Sequence, residues 1–191
     1  MQHLVLASGS PRRKELLSNV KLSFDVSVSN IDESIDETLT PEEKAMTIAL
    51  KKAKAILEQF PDSYILAADT AVVFQNQFLG KPKNEQESID VLKTLSNQTH
   101  EVVTGVAILF KDTQKTFYER TEVTFWDLTD EEIQTYVASG EPKDKAGSYG
   151  IQGLGSALVK HIKGDYFTVV GLPVSRTLRE LRDLGFRCGN L

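Results

Sequence analysis

Two short apolar runs constrain this chain most: residues 3–7, His-Leu-Val-Leu-Ala, and residues 64–68, Tyr-Ile-Leu-Ala-Ala. Each stops abruptly at polar groups, Ser8 in one case and Asp69-Thr70 in the other. Runs so brief and so continuously apolar read as strands buried on both faces, which requires a sheet with helices packed against it. The first run leads straight into Gly-Ser-Pro-Arg-Arg-Lys, where Ser10 suits a helix N-cap and Pro11 the first helical position. A helix start leaves N–H groups unpaired and carries partial positive charge. With Arg12, Arg13 and Lys14 beside it, this turn reads as an anion site.

Thr40-Pro41-Glu42-Glu43 is a capping-box pattern and predicts a helix to about Gln59, which places a helix between the two apolar strands. Ala71 to Phe74 and Phe78-Leu79 flank Gln75-Asn76-Gln77 as a hairpin, closed by Gly80-Lys81-Pro82. Asn84 caps a helix to about Ser96. Residues 102–110 and 116–126 are rich in β-branched and aromatic side chains and predict an antiparallel pair around a Lys-Asp-Thr-Gln-Lys turn. Thr129 to Glu132 repeats the capping signal, and Gly140 suits the far end of that helix. Residues 145–155 hold four glycines and read as a binding loop, too glycine-rich for a regular element. A last strand over 157–162 and a closing helix over 173–184, ended by Gly185, complete the chain. No repeat or linker interrupts it, so residues 1–191 are expected to form a single mixed α/β domain.

With 191 residues and 40% hydrophobic content the chain can bury a real core. Its formal net charge of −5 argues against wholesale binding to nucleic acid or an anionic membrane. The single cysteine, Cys188, excludes an intrachain disulfide and a Cys-based zinc site and reads as an inert thiol. No apolar run approaches the length of a membrane span, and Ser8 to Lys14 interrupts any signal-peptide core, so a cytoplasmic location is expected.

Neither common nucleotide signature is present: no G-x-x-x-x-G-K-[ST] and no G-x-G-x-x-G after a strand. Phosphate chemistry must therefore use another solution. Arg12 and Arg13 offer forked donors matched to phosphoryl oxygens, with the hydroxyls of Ser8 and Ser10 at the turn. Asp69 ends an apolar strand, where a carboxylate needs a partner, a metal or a task; backbone N–H groups of the turn are the plainer alternative. The loop Asp32-Glu33-Ser34, with Asp36 and Glu37, is either a solvated acidic surface or a source of Mg²⁺ ligands, with Glu33 and Asp69 able to supply carboxylates. Lys81, between Gly80 and Pro82, sits in a stiff turn and is a candidate phosphate contact. Lys52 is a weaker one, since Lys51-Lys52-Ala53-Lys54 also reads as an exposed helix face. Gln152, on the glycine-rich loop, carries the donor and acceptor needed to read the edge of a base.

Together these segments resemble the Maf family of nucleotide pyrophosphatases. The matching pieces are Leu-Ala-Ser-Gly-Ser-Pro-Arg-Arg at 6–13, Asp32-Glu33, Lys52-Ala53, Ala68-Asp69-Thr70, Gly80-Lys81-Pro82, Thr99-His100 with Thr104-Gly105, the stretch from Lys145 to Gly153, and Val169 to Pro173. The resemblance implies a two-lobed fold around a cleft, related to the inosine triphosphate pyrophosphatases, with a mixed twisted sheet, flanking helices and often a dimer. It implies hydrolysis between the α- and β-phosphates of a nucleoside triphosphate with Mg²⁺ or Mn²⁺. Arg12, Thr70 and Gln152 match the trio of the branch acting on dTTP, UTP and related modified pyrimidine nucleotides. Asn97 and Thr168 depart from the family pattern, which commonly has glycine and asparagine there.

On this reading Asp69 accepts the proton of the attacking water and shares a metal with Glu33. Ser8, Arg13, Lys52 and Lys81 position the triphosphate, and Arg12, Thr70 and Gln152 select the base. The rival expectation is a non-catalytic, nucleotide-sensing regulator of septum formation with a cell-division partner. A third, RNA binding through Gly150-Ile151-Gln152-Gly153, runs against the acidic net charge.

Overall fold

Helices begin where a side chain satisfies the first orphan N–H groups. In the computed structural model, which describes residues 2–36 and 38–188, Ser10 accepts from Arg13 N and opens α1 (Pro11–Asn19). Thr40 and Glu43 exchange side-chain-to-backbone hydrogen bonds at 3.3 and 2.9 Å and open α2 (Pro41–Leu57). Asn84 caps α3 (Glu85–Leu95), and Thr129 with Glu132 forms a second capping box at α4 (Asp130–Ala138). Beyond α4, Gly140 takes a left-handed φ of 76°. Two helices follow, α5 (Tyr166–Val170) and α6 (Val174–Asp183). The five-residue α5 was not expected, being too short for an apolar period. Asp165 Oδ2 caps it, accepting from Thr168 N at 2.7 Å and Thr168 Oγ1 at 2.9 Å. Glu37, in the acidic loop, lies outside the described residues. No helix among those described is long and apolar enough to cross a membrane.

The strands are β1 (Leu4–Leu6), β2 (Asp25–Val26), β3 (Tyr64–Phe74), β4 (Gln77–Leu79), β5 (Thr99–Phe110), β6 (Thr113–Phe125) and β7 (Val159–Lys163). They form one seven-stranded mixed sheet in the order β2-β1-β3-β5-β6-β7, with β4 also on β3. Val5 of β1 lies opposite both Asp25 and Ile65 in parallel pairings, so the two apolar runs are neighbours. β3 and β4 pair antiparallel around Gln75 and Asn76, whose φ values of 49° and 63° suit a tight two-residue hairpin turn. Gln77, expected in that turn, instead pairs with Phe74. The turn between β5 and β6 is likewise only Lys111-Asp112, with Lys111 at φ 51°, so β6 starts at Thr113 rather than 116. Asn97 adopts φ 55°, a conformation glycine and asparagine reach most readily, which accounts for glycine being common there.

The chain divides into two compact units, and β3, β5 and β6 each run from one into the other. The first comprises the described residues up to Asp69, 104–119 and those from Gly171 on. Its core joins Val5, Ala7, Ile65, Ala67, Ala107 and Leu109 to Ala49, Ala53 and Ile56 of α2. The alanines let α2 approach β5 closely: a Cβ on Gly105 would overlap the backbone of Ala45 and Met46. The second unit comprises 70–103 and 120–170. Its core includes Leu92 and Leu95 of α3, Ile133 and Tyr136 of α4, and Val123, Phe125 and Tyr149. Buried among them is His100, whose Nε2 lies 2.7 Å from the Tyr149 hydroxyl.

Candidate active site

The turn after β1 is closed by groups of its own unit. Ala7 N donates to Leu66 O at 2.7 Å, so parallel pairing with β3 persists to the residue before Ser8. Ser8 is buried, and its Oγ accepts from Ser10 N at 3.3 Å and from Arg13 Nη1 at 3.1 Å. Arg13 Nε donates to Gly171 O at 2.7 Å, which turns this guanidinium inward while Arg12 stays half-buried beside it. Burial lowers the Arg13 pKa; Asp69 opposes that shift, Arg12 adds to it and Glu33 opposes it again. Two cations and two carboxylates thus share one electrostatic neighbourhood.

Lys52 joins the carboxylates. Its Nζ is 2.8 Å from Asp69 Oδ1 and 2.8 Å from Glu33 Oε1, with only 15% of the lysine side chain and 18% of the aspartate side chain exposed. The helix-face alternative for Lys52 therefore fails, because α2 directs this lysine inward. Its neighbour Lys51 donates to Ser34 O at 2.8 Å and holds the same loop. The acidic loop itself divides by role. Asp32 accepts from Ser34 N at 2.9 Å and Ser34 Oγ at 2.6 Å; Asp36 accepts from Thr38 N at 2.9 Å and Thr38 Oγ1 at 2.8 Å. These are local turns, and the hydrogen bonds, side-chain first for Asp32 and backbone first for Asp36, lower both pKa values. Glu33 alone of these described acids reaches Lys52.

Two carboxylate oxygens converging on one ammonium form a hard-donor pair able to take Mg²⁺ or Mn²⁺. Among the described residues no cluster of three or more His, Cys, Asp or Glu is arranged to hold a metal ion. Glu33 and Asp69 suit an open site completed by phosphate and water, the usual protein-poor coordination of Mg²⁺. Asp69 itself is half-buried, with its Oδ1 taken by the Lys52 ammonium.

Of the candidate residues, Ser8, Arg12, Arg13, Glu33, Lys52 and Asp69 belong to the first unit, and Thr70, Lys81 and Gln152 to the second. Thr70 follows Asp69 directly in β3 and is half-buried. Lys81 is exposed; Gly80 before it accepts from Gly147 N at 3.1 Å. Gln152 is half-buried at the entry to a 3₁₀ turn, Gly153–Leu158, with φ −89° and ψ 167°. A second 3₁₀ turn covers Ala146–Ser148, so the glycine-rich stretch has more regular structure than expected. Gly147 and Ser148 both have positive φ, 69° and 60°, and a Cβ on Gly147 would meet Val72 Cγ1 at 2.8 Å.

No feature of the charge pattern marks Glu141, yet its carboxylate accepts from Leu154 N at 3.0 Å, Gly155 N at 3.1 Å and the Tyr136 hydroxyl at 3.0 Å. The available signal was the loop itself: closely spaced glycines present backbone N–H groups that need an acceptor.

The sequence profile described as Maf-like protein matches residues 3–184. A dTTP/UTP pyrophosphatase of Bacillus cereus (strain AH187) is 56% identical over 182 residues, covering 95% of each chain. A dTTP/UTP pyrophosphatase of Geobacillus sp. (strain WCH70) is 54% identical over 186 residues, covering 97% of this chain and 100% of that one. Among solved structures, a HAM1 protein from Coxiella burnetii aligns over 96% of this chain and 100% of that chain, with a TM-score of 0.52 and 19% identity, a likeness of fold.

Proposed function

The chain belongs to the Maf-like protein family, and from that premise we propose that it is a nucleoside triphosphate pyrophosphatase acting on dTTP and UTP. The observation that carries this reading is the Lys52 ammonium held 2.8 Å from both Asp69 and Glu33, beside Arg13. β3 does not stop at Asp69, as its apolar run predicted, but continues to Phe74; a carboxylate inside that strand, where the buried run gives way to half-buried residues, and held among cations suits a reaction whose demands are positioning and charge stabilisation.

Asp69 accepts the proton of the attacking water as the water oxygen bonds to phosphorus. One phosphorus–oxygen bond of the α–β bridge breaks, and the products are a nucleoside monophosphate and pyrophosphate. Ser8, Arg13, Lys52 and Lys81 bind phosphoryl oxygens and offset the charge that accumulates on them. Arg12, Thr70 and Gln152 discriminate the base, and residues 1–191 make up a single Maf-like domain. Glu33 and Asp69 are the residues to hold Mg²⁺ or Mn²⁺, which when bound neutralises phosphate charge. Modified uridine and thymidine triphosphates belong to the same substrate class, and the acting compartment is the cytoplasm.

The test is pyrophosphate release by purified protein from a panel of dTTP, UTP, CTP, GTP and modified pyrimidine triphosphates. Asp69→Asn should slow dTTP hydrolysis by about 10² to 10⁴. A variant as fast as the wild type removes Asp69 from the role of base. A protein that binds dTTP tightly yet never turns it over is a sensor and not an enzyme.

A further inference from the structure

The loop that carries Gln152 is packed on one side only: Tyr149 and Ile151 before it are buried, whereas the residues just after it are not. Gly150, Gly153 and Gly155 surround Gln152, and Leu154 is 61% exposed. Beyond that packing, the loop's backbone is held by one polar assembly mounted on α4 and the turn after it. The Tyr136 hydroxyl accepts from Gly150 N at 3.1 Å and donates to Glu141 Oε1 at 3.0 Å. The Glu141 carboxylate then takes Gly155 N on Oε1 and Leu154 N on Oε2. The backbone is thus pinned two residues before Gln152 and two residues after it.

The glycines fit that assembly closely. A Cβ at Gly153, where φ is 62°, would stand 2.8 Å from Glu141 Oε2; one at Gly155 would stand 2.8 Å from the Tyr136 hydroxyl. Burial, the largest influence, raises the Tyr136 pKa, so the phenol remains a donor to the carboxylate. Hydrogen bonds from backbone N–H to an ionised carboxylate are stronger than neutral ones, and this carboxylate gathers two of them at one loop. Reading a base by a side-chain amide requires that the amide be placed to within a few tenths of an ångström, and a glycine-rich loop left to itself does not supply such placement.

We propose that Glu141, with Tyr136, is the positioning residue for base selection: it acts through the backbone of residues 150–155 to set the orientation of Gln152. The inference rests on the pyrophosphatase reading and on Gln152 as a selector of the base. Glu141→Gln keeps the size of the side chain but turns an NH₂ group toward backbone donors, so one anchor of the loop is lost.

The experiment is a double-mutant cycle on the ratio of kcat/KM for dTTP over CTP, in the full chain with Mg²⁺. Glu141→Gln should lower that ratio roughly tenfold, mainly by raising KM for dTTP, while adding the same change to Gln152→Ala protein should alter it less than twofold. An unchanged ratio in Glu141→Gln, with Gln152→Ala shifted, overturns the positioning role and leaves Gln152 as the selector. An equal fall in both backgrounds also overturns it, since Glu141 then acts by another route. If Gln152→Ala leaves the ratio unchanged, base reading by Gln152 fails and this inference falls with it. A wild type that releases no pyrophosphate refutes the underlying activity and both roles together. Should Glu141→Gln fail to fold, Tyr136→Phe removes only the hydroxyl shared by Gly150 N and Glu141. A fall of about threefold in that ratio is then expected, and no fall overturns the proposal.

Discussion

Lys52 reaches Asp69 from 17 residues earlier in the chain, and the same ammonium that touches Asp69 Oδ1 touches Glu33 Oε1, both at 2.8 Å. Removing that cation leaves the two carboxylates without their shared partner and, on the proposed function, takes one positive charge from the phosphoryl site. Lys52→Gln should therefore lower kcat/KM for dTTP by about 10² to 10³, and Lys52→Arg should restore part of it. Steady-state pyrophosphate release decides this; near-wild-type rates for the glutamine variant would leave Lys52 a structural ion-pair partner of Asp69 and Glu33 with no part in phosphate binding.

The acidic loop makes a contrast that a metal titration can read. Glu33 points to Lys52 and Asp69, whereas Asp32 is engaged by Ser34. Glu33→Gln should raise the Mg²⁺ concentration for half-maximal rate by about tenfold or more, and Mn²⁺ binding followed by spin resonance should weaken in parallel. Asp32→Asn should leave both quantities near wild type. Equal effects of the two substitutions would mean that general loop charge, not Glu33, attracts the ion.

His100 makes the fold sensitive to acid. Its ring packs edge-on against Phe125 and Tyr149, its Nδ1 has no hydrogen-bond partner among the described residues, and burial pushes its pKa from 6.5 down to about 4. Between those values the unfolded chain holds more protons on this residue than the folded one does. Stability is therefore full above pH 6.5 and is lost as the pH falls toward 4. At about 1.4 kcal/mol per pH unit the loss approaches ~3 kcal/mol. Urea midpoints at pH 7 and pH 4.5 should separate less in His100→Gln than in the wild type. Equal separations would assign the acid sensitivity to other groups.

Two glycine substitutions should differ sharply. A Cβ at Gly105 collides with the backbone of Ala45 and Met46, while one at Gly80 meets nothing within 4 Å. Gly105→Ala should destabilise the protein by about 3 kcal/mol, and Gly80→Ala by no more than about 0.5 kcal/mol. Denaturant unfolding of the two variants measures the difference. A mild Gly105→Ala would mean that α2 can move away from β5 at little cost.

Elements whose cause is local were legible in the sequence. Thr40 with Glu43 and Thr129 with Glu132 announce helix starts because the hydrogen bonds involved span only three residues. Leu4 to Leu6 and Tyr64 to Ala68 announce buried strands because burial on both faces admits no polar residue. The hairpin turns were placed less well: Gln75, Asn76 and Lys111 adopt positive φ without a glycine to signal it. Gly105 matches the family pattern, but its physical reason was not legible, because that reason is an alanine face of α2 some 60 residues away. The candidate site divides in the same way. Arg13 is conspicuous beside Pro11, but Lys52 looked like any lysine in a basic triplet, and only the tertiary fold brings Asp69 and Glu33 to it. Glu141 is inconspicuous for a similar reason, since its partners are backbone groups 13 and 14 residues later, which no side-chain alphabet records.

Lys51 and Lys52 are consecutive on α2, yet one takes Ser34 O and the other the Glu33 carboxylate. The exposed stretch that precedes this helix is moored to it, two residues of loop to two residues of helix, and the second mooring line also carries Asp69. Changes in the length of that stretch are thus transmitted to Asp69, the proposed base, through a single ammonium. Variation there should appear in turnover numbers long before it appears in a melting curve.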